Sequence, residues 1–339
     1  MVLLVIGTVA QKDIGLYQAE QIYFSSWFFW FGFVPLPGGL STLLIIFINL
    51  LAKFLLKSKW TWRQSGTIIT HFGILLLFVG ALFTALTTKE GFLLIPEGHS
   101  NDRLLDYHQK VFYLFKDEQQ IAMVPFENLE NLRQQLSEHI PFKIQPLYIC
   151  KNCQFLEVNK QEIIHRKGLA EKISLSPAPI QKEDEANLSG VTFRISGSQE
   201  QDGIYISTEA APHPVIIVHD DVNYRLQLQR AETQLPFTVT LDDFVRKLHP
   251  GTQTPSHYHS DIQITDRDMT WSTRIAMNEP LRYKGYTLFQ SSYADTPKGQ
   301  ATILAVVKNN GWLFPYIASA IIALGLLIHL FLKIRGAYV

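Results

Sequence analysis

Charge of either sign is sparse in this chain. Only 18% of the 339 residues are Asp, Glu, Lys or Arg, and the 30 acidic and 30 basic side chains cancel. A chain with no net charge sets up no bulk field for nucleic acid or acidic partners, so no nucleic acid is expected among its partners. Cysteine is scarcer still, with only Cys150 and Cys153. Two cysteines exclude the multiply bridged framework of a small secreted domain. There is no glycine-rich phosphate loop, nucleophile elbow or zinc-protease helix motif, and the carboxylates show no acid–base spacing. Long repeats and low-complexity tracts are also absent.

What is present is apolar. Hydrophobic residues make up 47% of the chain, which suits a mixture of membrane spans and a water-exposed part. Residues 311–332 carry no formal charge and are followed at once by Lys333 and Arg335. About 22 residues suffice to cross the hydrocarbon core. A second span is expected at about 66–87, where His71 is the only ionisable group, and a third at about 40–56. Residues 1–10 are apolar but cover only about 15 Å as a helix, so they read as an incomplete first span, with a short interfacial segment or a signal peptide without a basic start as alternatives. The aromatic stretch Trp27 to Val34 is expected at a membrane–water boundary, as an interfacial or re-entrant segment or as the outer end of the next span.

The basic residues orient these spans. Lys53, Lys57, Lys59 and Arg63 lie together without an acidic residue, which predicts a cytoplasmic loop. The basic tail 333–339 is then cytoplasmic as well, and 88–310 is extracytoplasmic. That large segment reads as strands. Tyr224–Gln229, Phe237–Leu241, Asp261–Thr265 and Gly203–Ser207 alternate apolar and polar residues, and 215–218 and 302–307 are short apolar runs. A helical stretch is expected near 127–139 and a loop at 182–187. The fold class is therefore a membrane protein: a helical bundle of about four spans, in regions 1–87 and 311–332, carrying a β-rich domain at 88–310. The expected arrangement of that domain is a β-sandwich or a pair of small β-layers.

Several segments together resemble the ResB family, also called CcsB, of System II cytochrome c maturation. They are residues 7–12 (GTVAQK), 71–80 (HFGILLLFVG), 91–98 (GFLLIPEG) and, most specifically, 278–293 (NEPLRYKGYTLFQSSY). The resemblance implies a non-catalytic membrane subunit of the cytochrome c–haem ligation complex. It implies a CcsA-like haem-handling partner, apocytochrome c as client and haem b held transiently between the two membrane proteins. The six Trp residues at 27, 30, 60, 62, 271 and 312 form no cluster in an outer loop, so the Trp-rich haem-presenting part belongs to the partner. Competing readings are an envelope-anchored ligand-binding or sensor module and a thiol-redox protein acting through Cys150 and Cys153.

His71 is the leading site residue. An ionisable group inside a span is a functional candidate, and neutral imidazole is a common axial ligand of haem iron. The resemblance assigns a histidine of this span to haem; the alternative is an imidazole hydrogen-bonded to a neighbouring helix. His329 is the other intramembrane histidine and a lesser haem candidate. Small residues recur every seven positions at Gly66, Gly73 and Gly80, and again at Gly311, Ala318 and Gly325. Pairing the two stripes antiparallel sets Gly66 against Gly325 and leaves His329 roughly 13 Å below His71. Aligning Arg63 with Lys333 reduces that to roughly 6 Å. His71 also falls about 200° from Gly73 round the helix, which would face it away from the seam. Cys150-Lys-Asn-Cys153 lacks the following histidine of a haem-attachment motif, leaving a static disulfide, a redox dithiol or, last, a metal pair. His257 and His259 could bind metal on one side of a strand, but a polar surface turn after Pro255 is the simpler expectation. His99 and His213 read as isolated and solvated.

Overall fold

The computed structural model describes residues 1–158, 165–252, 255–296 and 299–337. Its helices are α1 (Val2–Ile14), α2 (Leu16–Ala19), α3 (Gly39–Ala52, wound on through Lys53–Lys57), α4 (Ser65–Thr87), α5 (Leu132–Leu136) and α6 (Phe314–Ala337). Among the described residues three helices are long and apolar enough to cross a membrane: Gly39–Lys57, Trp62–Thr87 and Phe314–Arg335. The expectation was about four spans with the first incomplete; three are supported and a fourth is not confirmed. The segment read as a first span is α1, whose 13 residues reach only about 20 Å. At the other end, α6 continues past Lys333 through what was expected to be tail, and residues 338–339 lie outside the described residues.

The chain forms two compact units, to both of which residues 88–310 contribute. One comprises Met1–Leu4, Glu20–Leu104 and Gln234–Val339; the other comprises Val5–Ala19 and Leu105–Thr233. The first unit holds the three long helices, the hairpin β1 (Phe28–Phe31) and β2 (Val34–Pro37), and a large sheet. Its strands are β3 (Lys89–Pro96), residues 100–104 of β4 (Ser100–Lys116), residues 234–248 of β12 (Val222–Leu248), β13 (Pro255–Asp266), β14 (Met269–Ala276), β15 (Leu281–Tyr283), β16 (Tyr286–Thr296) and β17 (Gly299–Lys308). They are ordered β14-β13-β12-β4-β3-β17-β16-β15.

This sheet curls on itself. Ser260 of β13 donates to Gln290 Oε1 of β16 at 2.6 Å, and the Ser260 and Thr302 hydroxyls are 2.8 Å apart across the interior. Around these polar groups, Leu93, Ile95, Val239, Leu241, Ile262, Ile264, Leu288 and Leu304 form a core without solvent exposure. Each contributes about 1.5–3 kcal/mol through burial. The curl differs from a flat layer because alternate residues of every strand point to one shared interior.

The second unit has two β layers. One is the antiparallel sheet β10-β9-β6, from β10 (Gly203–Thr208), β9 (Gly190–Ser196) and β6 (Lys143–Cys150). The other is made by the remainder of β4 with β5 (Gln119–Pro125) and the remainder of β12 with β11 (Val215–His219). Between them Phe112 meets Phe193 edge-on at 5.5 Å, beside Leu129, Leu132 and Leu136 of the short helical segment. The small ribbon β7 (Cys153–Glu157) and β8 (Ile173–Pro177) completes it.

The end of α1 belongs to this unit. Lys182 Nζ donates to the Lys12 carbonyl at 2.6 Å, and the Tyr17 ring stacks on His108 at 3.6 Å. Gly15 between them has φ +85°, and a Cβ there would lie 2.0 Å from the Lys182 carbonyl oxygen, so only glycine fits.

Candidate intramembrane histidine site

Helix α4 forms because residues 65–87 are apolar or small with no charge and no proline. Its 3.6-residue period puts Gly66, Gly73 and Gly80 on one stripe, and all three are buried. The partner on that stripe is α6, and Gly66 meets Gly325 as expected: a Cβ on Gly325 would lie 2.9 Å from the Gly66 carbonyl oxygen. A Cβ on Gly66 would lie 2.3 Å from the His329 backbone nitrogen and 2.7 Å from the Gly325 carbonyl oxygen. Gly73 faces Ile321 and Ile322, Gly80 faces Phe314, and Gly311 faces Thr84. Gly73 and Gly80 do not meet Ala318 and Gly311, so the helices are offset by a few residues from a strict stripe-to-stripe pairing. The reason is packing: beyond the Gly66–Gly325 contact, the glycines are holes filled by larger residues of the facing helix.

The offset brings the two histidines nearer in height. His329 packs at Gly66, five residues below His71, or roughly 7.5 Å along the axis. Both imidazoles use Thr67. His71 Nδ1 is 2.8 Å from the Thr67 carbonyl oxygen, and His329 Nδ1 is 3.2 Å from the Thr67 hydroxyl. A carbonyl can only accept, so His71 Nδ1 carries a proton, and in the neutral imidazole Nε2 is then the lone-pair atom. An N–H held by a carbonyl is the usual support of a metal-ligating imidazole, because it fixes both ring orientation and tautomer.

His71 is partly buried, and its face of α4 turns toward α3. Leu75, one turn on, is buried, and Phe78, two turns on, meets Phe47 of α3 with ring centres 5.9 Å apart. The histidine therefore lies off the glycine seam yet has α3 along its flank. Thr67 is the residue that reading the sequence missed. Its signal was available in the four-residue spacing to His71, which puts both on one helix face.

The remaining candidates lie apart. Cys150 and Cys153 are joined by a disulfide at the turn between β6 and β7, and each is only 5% exposed. The turn is bound on all sides: Cys153 N–H donates to Leu188 O, Asn152 Nδ2 to Pro179 O, and Ser189 Oγ to Lys151 O. Such burial denies access to an attacking thiolate, so the geometry suits a structural clamp better than an exchanging dithiol. Replacing both cysteines with serine is expected to remove about 2 kcal/mol, the chain-entropy value for so short a loop. A thermal melt of the full chain in detergent checks this as a fall of roughly 4–8 °C in the second unit's transition.

His257 and His259 correct another expectation. The segment after Pro255 is strand β13, not a turn, and the two rings are 5.7 Å apart. Burial, and then the nearby Arg274, push the His259 imidazole pKa down, so this ring is neutral at neutral pH. Among the described residues no three His, Cys, Asp or Glu side chains are grouped to hold a metal ion. His99 is exposed and bonded through Nδ1 to the Glu97 carbonyl, and His213 is exposed beside a cavity.

A β-rich protein with apolar helices long enough to cross a membrane, and two imidazoles in those helices that share Thr67, is the class that these elements define. Residues 213–313 match the family model described as the ResB-like family, which bears out the resemblance to ResB read from the sequence. The chain is also 24% identical over 326 residues to Protein NrfI of Wolinella succinogenes, a match covering 95% of this chain and 32% of that protein. It thus spans about a third of the length of this curated relative.

Proposed function

We propose that the chain is a membrane subunit of a cytochrome c–haem ligation complex, in which His71 supplies one axial imidazole to haem b shared with a CcsA-like partner. The family match and the similarity to NrfI support cytochrome c biogenesis as the setting. The observation that carries the haem role is the His71 Nδ1–H bond to the Thr67 carbonyl, which leaves Nε2 as the free donor within an apolar span. Haem bound there would supply the group to be attached to apocytochrome c; this chain would hold and orient it. The basic loop from Lys53 to Arg63 and the basic end of α6 lie on the cytoplasmic side of the cell membrane, with the β-rich units outside. His329 acts as a brace through Thr67 rather than as the second ligand.

The test is to co-express the chain with its CcsA-like partner, purify the pair in detergent and record its absorption spectrum. A low-spin b-type spectrum is expected, lost in His71→Ala and retained in His329→Ala. A haem signal that persists in His71→Ala would overturn the assignment. A second reading, a ligand-binding module, is favoured by a cavity of about 820 Å³ in the second unit, lined in part by Arg166, Lys172, Tyr205, His213 and Val215. Its size is in the range of small-molecule sites. A pair without haem whose outer part binds a small molecule would support that reading.

A further inference from the structure

The hairpin β1–β2 is aromatic on both faces and has no sheet to cover it. Phe28 and Trp30 project from one face and Phe31 from the other, and Phe33 at the turn is 100% exposed. Gly32 at φ +61° makes that turn. Phe29 alone is covered, edge-on to Tyr23 at 5.0 Å. From Gln21 to Ala52 there is no Asp, Glu, Lys, Arg or His, so the hairpin and the start of α3 form one uncharged stretch.

The hairpin is also fixed to the span that follows. Gly38 N–H and Ser41 Oγ–H both donate to the Trp27 carbonyl, and Leu40 N–H donates to Ser26 O. Its base is therefore welded to the first turn of α3, at the membrane face opposite the loop of Lys53 to Arg63.

We infer that this hairpin is a membrane-inserted foot, with its aromatic tip seated at the headgroup–acyl boundary of that leaflet. Three observations select lipid over a protein partner. A docked protein covers one face of a ribbon, whereas here aromatic rings of both faces and of the tip stand open, Phe29 alone excepted, as suits a tip enveloped by a bilayer. The ribbon is continuous, in chain and in hydrogen bonds, with a helix that is itself in lipid.

The third observation is the edge chemistry. Phe28 pairs with Pro37 and Trp30 with Pro35. In an antiparallel ladder alternate pairs turn their N–H and C=O groups outward, and a proline cannot donate inward, so these are the outward pairs. The outer edge of β2 consequently presents no N–H at Pro35 or Pro37, removing the donors that lipid would leave unpaired. The outward N–H groups of Phe28 and Trp30 on β1 remain, and they require headgroup oxygens or water. This sets the depth at the interface rather than in the hydrocarbon centre, the level that Trp rings prefer.

The experiment is fluorescence quenching on the full chain in phosphatidylcholine–phosphatidylglycerol vesicles, with Trp60, Trp62, Trp271 and Trp312 replaced by Phe. Trp27 and Trp30 then report alone. A nitroxide lipid labelled near the headgroup is expected to remove most of their emission, a label at the chain terminus less, and aqueous iodide little. Phe33→Asp is expected to reverse that order while protease protection shows the spans still inserted. Emission quenched by iodide and untouched by the shallow label would overturn the inference. So would shielding that appears only when a second membrane protein is added, because the surface would then be a protein dock. The result is independent of whether His71 binds haem.

Discussion

Lys110→Ala is expected to destabilise the second unit by about 3–5 kcal/mol, the range for breaking a buried ion pair on one side. Lys110 is only 6% exposed, and its ammonium has three partners: Glu209 Oε1 at 2.7 Å, the Asn187 carbonyl at 2.6 Å and Ser189 Oγ at 3.0 Å. Glu209 is equally enclosed; it also accepts the Ser189 N–H at 2.9 Å and lies 3.5 Å from Arg230 Nε. Deleting the ammonium leaves a carboxylate in a low-dielectric site with a more distant cation, and strips two further acceptors of their donor. The arrangement joins the strand β4 to the loop that clamps Cys150 and Cys153, so its loss loosens both. Lys110→Met, which keeps the apolar stem, is expected to cost nearly as much, because the charge and not the stem is what the site requires. Replacing Lys110 and Glu209 together by Met is expected to recover a large part of the loss, since removing a pair costs less than orphaning one member. Thermal melts of the full chain in detergent read this as a fall of roughly 10–20 °C for either single variant. A single variant melting within about 3 °C of the parent would show that the pair contributes little.

That pair also marks where the sequence stops being informative. Lys110 and Glu209 are each unremarkable locally, and only the fold brings together residues so far apart in the chain. The spans were legible because composition alone decides them: 20 or so apolar residues have few alternatives. The alternating strands were legible for the same kind of reason, since period two survives whatever the strand packs against. Two details were not legible, each for an identifiable cause. The alternating runs from Tyr224 and from Phe237 are parts of one strand, β12, because the polar residues between them continue the extended backbone without a glycine to break it. Of the expected α4–α6 pairs, Gly66 with Gly325 holds and the other two do not, because similarity of spacing does not determine which knob fills which hole. The candidate site was half legible. A lone histidine in a span stands out in any sequence, whereas its carbonyl support and the approach of His329 to Thr67 depend on that register.

The same register makes Gly66 the residue whose replacement should disturb the membrane part most. In Gly66→Leu the new Cβ alone would lie 2.3 Å from the His329 nitrogen and 2.6 Å from its Cα. Those are backbone atoms of a continuous helix and cannot swing aside, so the helices must part or slide. Gly325→Leu is expected to behave likewise, since its Cβ would meet Thr70 N at 2.6 Å. Gly311→Ala is the contrast: its nearest neighbour is the Thr84 side chain, which can rotate. Overpacking of this kind costs about 1–3 kcal/mol in a well-packed core. Inside lipid no hydrophobic term holds the helices together, so loss of close packing is felt directly as separation. Spin labels at Trp62→Cys and Arg335→Cys measure it, because the native cysteines are bonded to each other and do not react. The label distance is expected to lengthen by a few ångströms in Gly66→Leu and to stay put in Gly311→Ala; an unchanged distance in Gly66→Leu would sink the seam. Separation there must also pull His329 from Thr67, one residue along α4. Haem retention by the purified pair should also fall in Gly66→Leu, because parting α4 from α6 moves α4 and its His71 relative to the partner, which His329→Ala with the seam still closed does not do; that joint loss is what connects the packing of the spans to the histidine they carry.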